Sequence, residues 1–544
     1  MARNMPSAYN LLPSSQYFAY TADPVIAFDD SALLAPWRAK YGNEIHSSES
    51  LQIFLADPSR PPLPTAEEIK NPIVGNDTLI QRAETLHDTS LDAWTPPSGI
   101  RIIEIAGWGE DTMRTLLYYQ GTAGTCTERR TDFTCAVIAQ ESVLDYKPLM
   151  TVDGDGTVVV PSALWTSGAE RYWVDLGDFN NNLPQSLLHA DRKHADILEV
   201  SQLRTLLETI MTNESTITLP RFISTTQPPA DITDDRLTFT LHSPLTLDIY
   251  DDLGNHTGIS TSTGFLEENI PGSRYERFGG ITYATAPAST TIRVVMRGTT
   301  EGSFTLDVDE TRGGVITAST TFAGIPSGTT TVATLSIPAG GIASSSPLFV
   351  DENGDGRTDL MLVPREGGAV IPDITPPEAV FSFSTTSDDV VLSGRDDLSV
   401  TVTPDSSLST STLVYTLADE SGNTTVLSFK RIKEHESKNG RKGKIKATLL
   451  SIEYGTLSTS TAHAIAKNEI QYAWERNKDG SLKKLEQEVK VKRDFALRAK
   501  YDAKRDETKI YFVDKENKEK LKETRRGLVL VRIVTKDREV RMEY

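Results

Sequence analysis

The chain has 544 residues, of which 38% are hydrophobic, 24% charged and 7% aromatic, a composition that excludes disordered and fibrous classes. No apolar run approaches the roughly 20 residues of a spanning helix, so we predict no transmembrane segment. The net charge is −19, yet residues 430–544 carry 31 basic and 19 acidic side chains. An acidic body with a basic end would repel polyanions over most of its surface and attract them at one end. We predict no nucleic-acid partner.

The first 219 residues combine helix and strand signals. The segments "DTLIQRAETLHDTSLDAW" and "HADILEVSQLRTLLETIM" place apolar residues at helical spacing. The segments "GIRIIEIAGWG" and "AERYWVDLG" have the apolar character of buried strands. Strands that alternate with helices predict an α/β domain with a mostly parallel sheet over residues 1–219.

The sequence after residue 219 has the patterns of β-structure. Short alternating segments punctuated by turns predict an antiparallel β-sandwich over residues 232–339. A linker that contains an acidic loop follows at 340–372, and residues 373–430 have the length of a small immunoglobulin-like module. We interpret 431–544 as a compact, basic, β-rich C-terminal module. The predicted fold class is therefore multidomain, an α/β domain followed by all-β modules.

The chain has two cysteines, Cys126 and Cys135, separated by eight residues. Two cysteines are too few for a structural zinc site of four clustered ligands. They predict either a disulfide that closes a small loop or two buried free thiols, and the sequence leaves both alternatives open. The first residues, "MARNMPSAYNLLPSS", lack the features of a secretory signal.

Two residues of the first region suggest acid–base chemistry. Asp155 lies in "DGDGTVVV", just before a predicted strand, and His194 lies just before a predicted helix. A loop carboxylate followed by a histidine is the order of the acid and the base in an α/β hydrolase. The carboxylate would hold the imidazole in one tautomer and stabilise the imidazolium that forms during proton transfer. Asp153 is the second candidate for the acid.

Four segments in this order carry a family resemblance: "MPSAYNLLPSS", "GWGEDTMRTLLYY", "DGDGTVVVPSAL" and "HADIL". The set resembles the C-terminal half of the lecithin:cholesterol acyltransferase family, and more broadly of serine lipases with the α/β-hydrolase fold. The resemblance implies that Asp155 is the acid of a catalytic triad and His194 the base, with His189 as the second candidate for the base. It also implies acyl transfer from a lipid or ester through an acyl-serine.

The nucleophile of this family lies in a Gly-x-Ser-x-Gly elbow, and no such pentapeptide occurs in the chain. Ser7 is a poor substitute, because its surroundings do not predict a strand-to-helix turn. We therefore expect the chain to be the C-terminal part of a longer lipase or acyltransferase whose first half carries the serine. We also expect the chain alone to be inactive.

A second acidic stretch, "DENGDGRTD", predicts a calcium loop. Its oxygen donors alternate as in a loop that winds around one hard cation. Five residues fall at ligand positions: Asp351, Asn353, Asp355, Arg357 through its carbonyl, and Asp359. Leu362 stands where an EF-hand has glutamate, so the stretch resembles the loops of dockerin-type extracellular repeats. The alternative is a solvated acidic turn.

Together these features predict a secreted or cell-surface protein that contributes the acid and base of a lipid O-acyltransferase or lipase, with structural calcium and no organic cofactor. The predicted partner is a lipid or ester substrate. The basic module could contact a polymer of the cell envelope, but its interspersed acidic residues favour the alternative of an ordinary solvated surface. The segments "DITPPEAVFSF" and "DESGNTTVL" resemble the immunoglobulin-like units of bacterial surface proteins. The competing hypothesis is therefore a non-catalytic, adhesin-like surface protein that retains a hydrolase remnant.

Overall fold

In a computed structural model the chain forms two compact units. The first comprises Met1–Gly354 and Pro364–Ile371, and the second comprises Asp355–Val363 and Pro372–Tyr544. The structure describes residues 5–60, 75–182, 191–212, 218–229, 234–242, 244–396, 399–404, 412–437, 440–456, 460–491, 495–514, 517–536 and 539–544.

The helices belong to the first unit and are short. They are α1 (Pro6–Tyr9), α2 (Ser15–Tyr20), α3 (Ala35–Tyr41), α4 (Ser48–Ala56), α5 (Asp77–Leu86), α6 (Val160–Ala163), α7 (Leu176–Asn181) and α8 (Ser201–Met211), with 3-10 turns at Ala32–Leu34, His194–Glu199 and Ile342–Ser344 and a π-helical turn at His87–Leu91. Helices α5 and α8 confirm the two helical patterns in the sequence, and α8 buries Leu203 and Leu206. Within the described ranges, none of the helices combines the length and the apolar character that crossing a bilayer requires.

Two small sheets form the part of the first unit that precedes residue 225. Their strands are β1 (Ile26–Phe28), β2 (Glu44–Ile45), β3 (Ile103–Trp108), β4 (Thr112–Arg129), β5 (Cys135–Thr151), β6 (Glu170–Asp175) and β7 (Ile223–Ser224). One sheet has the order β2–β1–β4–β5 and the other β3–β6–β7. Only the pairs β1–β4 and β3–β6 are parallel among the described strands of these two sheets.

The prediction of an α/β-hydrolase domain over residues 1–219 is therefore wrong. In the part of the chain that the structure describes, no mostly parallel sheet flanked by helices is present. The main reason is the antiparallel hairpin of β4 and β5, strands of 18 and 17 residues. A parallel neighbour needs a long crossover connection, whereas a hairpin needs only a turn, here closed by a hydrogen bond of 2.9 Å from the Arg130 amide to the Thr134 carbonyl.

The hairpin end carries the disulfide between Cys126 and Cys135, whose Cα atoms are 5.6 Å apart. Of the two alternatives that the sequence left open, the structure therefore shows the disulfide.

Residues 235–370 are strand-rich. The strands are β8 (Asp235–His242), β9 (Leu245–Tyr250), β10 (His256–Ile259), β11 (Leu266–Glu268), β12 (Arg274–Phe278), β13 (Ile281–Pro287), β14 (Ile292–Gly298), β15 (Gly302–Arg312), β16 (Val315–Ser327), β17 (Val332–Ile337), β18 (Leu348–Asp351), β19 (Leu360–Leu362) and β20 (Ala369–Val370). In the first unit they form one sheet with the order β11–β10–β9–β14–β17–β18 and another with the order β12–β13–β8–β15–β16–β20.

Strand β8 is buried on both of its faces. Leu237, Phe239 and Leu241 are fully buried on one face. On the other face His242 is buried and its ring bonds to Tyr119 of the long hairpin, with 3.2 Å between Nε2 and Oη. The hairpin β4–β5 therefore covers the second face of this sheet and joins the two halves of the first unit.

The second unit consists of long antiparallel strands. Those after residue 372 are β21 (Glu378–Ser384), β22 (Asp389–Arg395), β23 (Thr401–Pro404), β24 (Thr412–Ala418), β25 (Thr424–Glu436), β26 (Lys442–Gly455), β27 (Ser460–Arg476), β28 (Leu482–Val491), β29 (Phe495–Asp502), β30 (Glu507–Val513), β31 (Glu519–Arg526), β32 (Arg532–Lys536) and β33 (Glu539–Glu543). A nine-stranded sheet runs in chain order from β23 to β31, and a second sheet has the order β22–β21–β32–β33.

These two sheets share one core. Phe381 and Phe383 of β21 pack against Phe429 and Tyr472 of the larger sheet, with ring centroids 5.3 Å and 4.9 Å apart. Strand β25 continues through residue 430, where the sequence analysis placed a boundary, and pairs with β26 along its length. Strands from both sides of that boundary thus belong to the same sheets.

Candidate acid–base site

The structure brings Asp155 and His194 together. The Oδ2 atom of Asp155 lies 2.8 Å from Nδ1 of His194, and the His194 amide donates to the Asp155 carbonyl at 3.0 Å. The carboxylate side chain is 9% exposed, whereas the imidazole is 49% exposed. A buried carboxylate thus contacts the inner nitrogen of a ring whose other edge faces solvent.

The loop after β5 fixes the orientation of Asp155. Its Oδ1 atom accepts hydrogen bonds from the amides of Thr157 and Val158, at 3.1 Å and 2.8 Å. Gly156 has a φ of 90°, in the left-handed region that favours glycine. Gly107 of β3 allows a close approach, because a Cβ atom there would lie 2.6 Å from the Cβ of Asp155. Both carboxylate oxygens therefore have fixed partners.

The hydrogen bond to Asp155 determines which nitrogen of His194 can act as a base. A carboxylate that accepts from Nδ1 favours the tautomer with the proton on Nδ1, which leaves the Nε2 lone pair free. Within the described residues, Nε2 has no hydrogen-bond partner. The pair can consequently take a proton from a group that approaches from solvent and return it later.

The alternative residues from the sequence have other surroundings. The Oδ1 atom of Asp153 accepts from the side-chain Nε2 of Gln227 at 3.3 Å. Burial, and to a smaller extent the neighbouring Asp23 carboxylate, raises the pKa of Asp153. Ser7 is exposed on the four-residue helix α1. His189 lies outside the described residues.

A buried polar network that the sequence analysis missed borders the pair. Glu110, which follows β3, accepts hydrogen bonds from Arg274 and from the side-chain amide of Asn180. The two carboxylates Glu110 and Asp191 raise the pKa of Arg274 although its burial opposes this, so the guanidinium is held in its charged form. In the sequence this network is visible only as the two acidic residues of "GED" at the end of a strand. No sequence pattern indicates that Arg274 is the partner of Glu110.

The predicted calcium loop contains two tight side-chain turns. Asp351 accepts from the Gly354 amide at 2.7 Å, and Asp355 accepts from the Arg357 amide at 2.8 Å. Asn353 donates to the Asp132 carbonyl at 3.0 Å, while Asp359 is buried. The boundary between the two units falls inside the loop. Calcium at these residues stays a prediction.

A different acidic group lies in the second unit. Carboxylate oxygens of Asp373, Asp396 and Asp419 all lie within 4.8 Å of one another. Burial, together with the two neighbouring carboxylates, raises the pKa of Asp419 to about 6. Asn423 donates to Asp419 at 2.9 Å and to the Asp373 carbonyl at 3.0 Å. Three hard oxygen ligands at this spacing could hold a divalent cation.

The nine-stranded sheet carries an open pocket of about 510 Å³. Its lining residues include Lys484, Lys500, Glu486, Tyr501 and Tyr511. The Nζ atom of Lys500 lies 5.3 Å from the centre of the Tyr511 ring and 2.8 Å from an oxygen of Glu519. The pocket is thus a polar surface of mixed charge with aromatic side chains in it.

No protein-family model matches the chain, and no curated protein is significantly similar to it.

Proposed function

We propose that Asp155 and His194 are the acid and the base of an acyl-transfer site of the serine-hydrolase type. The observation that carries this proposal is the hydrogen bond between Asp155 and Nδ1 of His194, combined with the free Nε2 edge. The two residues are 39 positions apart in the chain. Unrelated polar residues on a solvated surface would both stay hydrated, whereas here the carboxylate of Asp155 is buried against the ring of His194.

In this reaction His194 would accept the proton of a serine hydroxyl as that oxygen attacks the carbonyl carbon of an ester. The imidazolium, stabilised by Asp155, would then return the proton to the leaving alcohol, which leaves an acyl-serine. Water or a second alcohol, activated by the same histidine, would release the acyl group. Within the described residues no serine hydroxyl is hydrogen-bonded to Nε2 of His194, and we propose that a segment outside this sequence supplies the serine.

A lipid or other ester is the proposed substrate class, and the proposed location is extracellular or at the cell surface. The disulfide between Cys126 and Cys135 supports this location, because disulfides persist in oxidising compartments. Calcium at Asp351–Asp359, which the spacing of oxygen donors in the sequence predicts, would suit that environment, because calcium is abundant there.

The test is ester hydrolysis by the protein expressed from the complete reading frame of the gene. His194→Ala should lower kcat by about 10³-fold or more, and Asp155→Asn should also lower it strongly, because it permits the wrong tautomer. His46→Ala is the matched control, since His46 is an exposed histidine next to Glu44. Undiminished turnover in His194→Ala would exclude this function.

A non-catalytic surface protein is the second candidate, and the β-rich architecture of both units favours it. In this case the pocket of the nine-stranded sheet would contact an envelope polymer. The second unit would then bind purified envelope polysaccharide, binding would weaken in Lys500→Ala, and the complete protein would not hydrolyse esters. Ester hydrolysis that depends on His194 would favour the first candidate instead.

A further inference from the structure

Arg274 is a buried cation at the start of β12, and it is 7% exposed. Its Nε and Nη2 atoms donate to Oε2 of Glu110, the former at 2.8 Å, and its Nη1 atom donates to Asp191 at 3.0 Å. Asp191 lies on the segment that leads to His194, and Glu110 lies on a segment that is hydrogen-bonded to the loop of Asp155. One guanidinium therefore joins both segments to a strand more than 80 residues further along the chain.

The contact with Glu110 reaches Asp155 through the backbone. The Glu110 amide donates to the Gly154 carbonyl at 3.1 Å, and Glu110 and Asp155 form an isolated parallel β-bridge. The Thr112 hydroxyl donates to the Glu110 carbonyl at 2.8 Å and accepts from the Gly156 amide at 2.9 Å. A shift of Glu110 would consequently move the loop on both sides of Asp155.

The segment before His194 is attached at three consecutive residues. Asp191 bonds to Arg274. The Asn180 side chain accepts from the Arg192 amide at 2.7 Å and donates to the Arg192 carbonyl at 2.9 Å, and it also donates to Glu110 at 2.6 Å.

The third attachment is made by Lys193, which donates to both carboxylate oxygens of Glu268, at 3.1 Å and 3.2 Å. Glu268 lies at the end of β11 and also accepts from the Tyr275 amide at 2.7 Å. Strands β11 and β12 therefore hold the residues that lead directly into the histidine.

We propose that Arg274 is a positioning residue that fixes the distance between Asp155 and His194. Through Glu110 the guanidinium is connected to the loop of Asp155, and through Asp191 it is connected to the segment that precedes His194. Neither contact involves the atoms that exchange the proton. The relevance of this role to catalysis rests on the proposed function, whereas the coupling itself is a property of the fold. Strands β11 and β12 thus form part of the acid–base site.

The test observes the proton between the two residues directly. The full chain is labelled with ¹⁵N-histidine, and the Nδ1–H resonance of His194 is assigned by its loss in His194→Gln. In Arg274→Met the exchange of this proton with water should accelerate roughly tenfold or more, because the opening free energy of the bond falls. Arg274→Lys should give an intermediate rate, since lysine keeps the charge but loses the two-pronged contact. A purely structural role would leave the resonance unchanged once the variant is folded.

Arg312→Met is the matched control, because Arg312 forms a two-pronged contact with Asp235 on the surface of the same unit. Its exchange rate should equal that of the unmodified chain. Should Arg274→Met fail to fold, Asp191→Ala removes one contact of Arg274 at a partly exposed residue. Deuterium uptake at the amides of Thr157 and Val158 then reports the same coupling. Unchanged exchange in every folded variant of Arg274 and Asp191 would overturn the proposal.

Activity of the complete protein separates this proposal from the proposed function. Faster exchange of the ring proton in a protein without esterase activity would leave the positioning role standing and reject the acyl-transfer site. Esterase activity in which Arg274→Met changes neither kcat nor the exchange rate would reject the positioning role alone. A fall in kcat with an unchanged KM is the expected result for a residue that acts through His194.

Discussion

The protonation of His242 should make the stability of the first unit depend on pH in the alkaline range. This histidine is buried between the long hairpin and the sheet of β8. Its Nδ1 atom lies 3.2 Å from Asp145, and its Nε2 atom lies 3.2 Å from the Tyr119 hydroxyl and 3.5 Å from Asp307. Burial alone would lower the pKa of His242, but the Asp145 and Asp307 carboxylates outweigh it and raise the pKa to about 9.

The magnitude follows from this shift. A rise from 6.5 to about 9 corresponds to about 3 kcal/mol of stabilisation of the folded state. Below pH 6.5 both states carry the proton and the contribution is complete. Between pH 6.5 and pH 9 the folded state retains the proton while the unfolded state releases it, so the stabilisation is lost progressively as the pH rises. Two neighbours titrate outside this window, because burial raises the pKa of Asp309 to about 6 and that of Tyr119 above its ordinary value of 10.

The assay is urea unfolding of the full chain at about pH 6 and about pH 9.5, followed by tryptophan fluorescence. A Trp474→Phe background removes the tryptophan of the second unit, so that the signal reports the first. The free energy of unfolding should fall by about 3 kcal/mol between the two pH values, and His242→Gln should abolish most of this difference. His46→Gln, at an exposed histidine, should retain it. An equal fall in His242→Gln and in the unmodified chain would refute the reasoning.

Three further outcomes are expected. Gly107→Ala should destabilise the first unit by about 1–3 kcal/mol in urea unfolding and weaken the Nδ1–H resonance of His194, because its Cβ would push Asp155 away; an unchanged resonance would contradict the close approach. Replacement of Cys126 and Cys135 by serine should lower the free energy of unfolding by about 2–3 kcal/mol, measured against the oxidised chain without reductant, and equal stabilities would argue against the disulfide. Calcium added to chelator-treated protein should raise the Tm, and Asp355→Ala should remove the shift; a shift that persists in this variant would place the cation elsewhere.

Local sequence signals predicted individual elements but not their arrangement. The apolar segment around Ile103–Trp108 and the helical spacing of Ser201–Met211 are short-range patterns, and both elements are present. The hairpin β4–β5 was missed because β4 is rich in threonine and contains two glycines, and because the two strands are not joined by a two-residue Asn-Gly or Asp-Gly turn. Its parallel pairing with β1 joins residues about 90 positions apart, which no local pattern encodes.

In the candidate site, too, one part could be predicted from local sequence signals and another could not. The order of Asp155 and His194, with glycines around the acid, allowed their pairing to be predicted. The role of Arg274 could not be predicted from the sequence. A buried arginine that bonds to two carboxylates has the same local sequence pattern as an arginine on a solvated strand. Its partner Glu110 is 164 positions away, so the interaction depends entirely on the folded chain. Assigning a buried ion network requires the tertiary structure.

The pairing of β20 with β16 determines where a fragment of this protein can be cut. Ala369 and Val370 of β20 lie alongside Thr321 and Phe322 of β16, after the chain has left and re-entered the first unit. A recombinant fragment that ends near residue 230 would lose Arg274 and Glu268 and with them the attachments of the histidine segment. One that ends near residue 354 would leave the edge of β16 unpaired. The smallest fragment suited to isolated study of the acid–base pair therefore extends to residue 371.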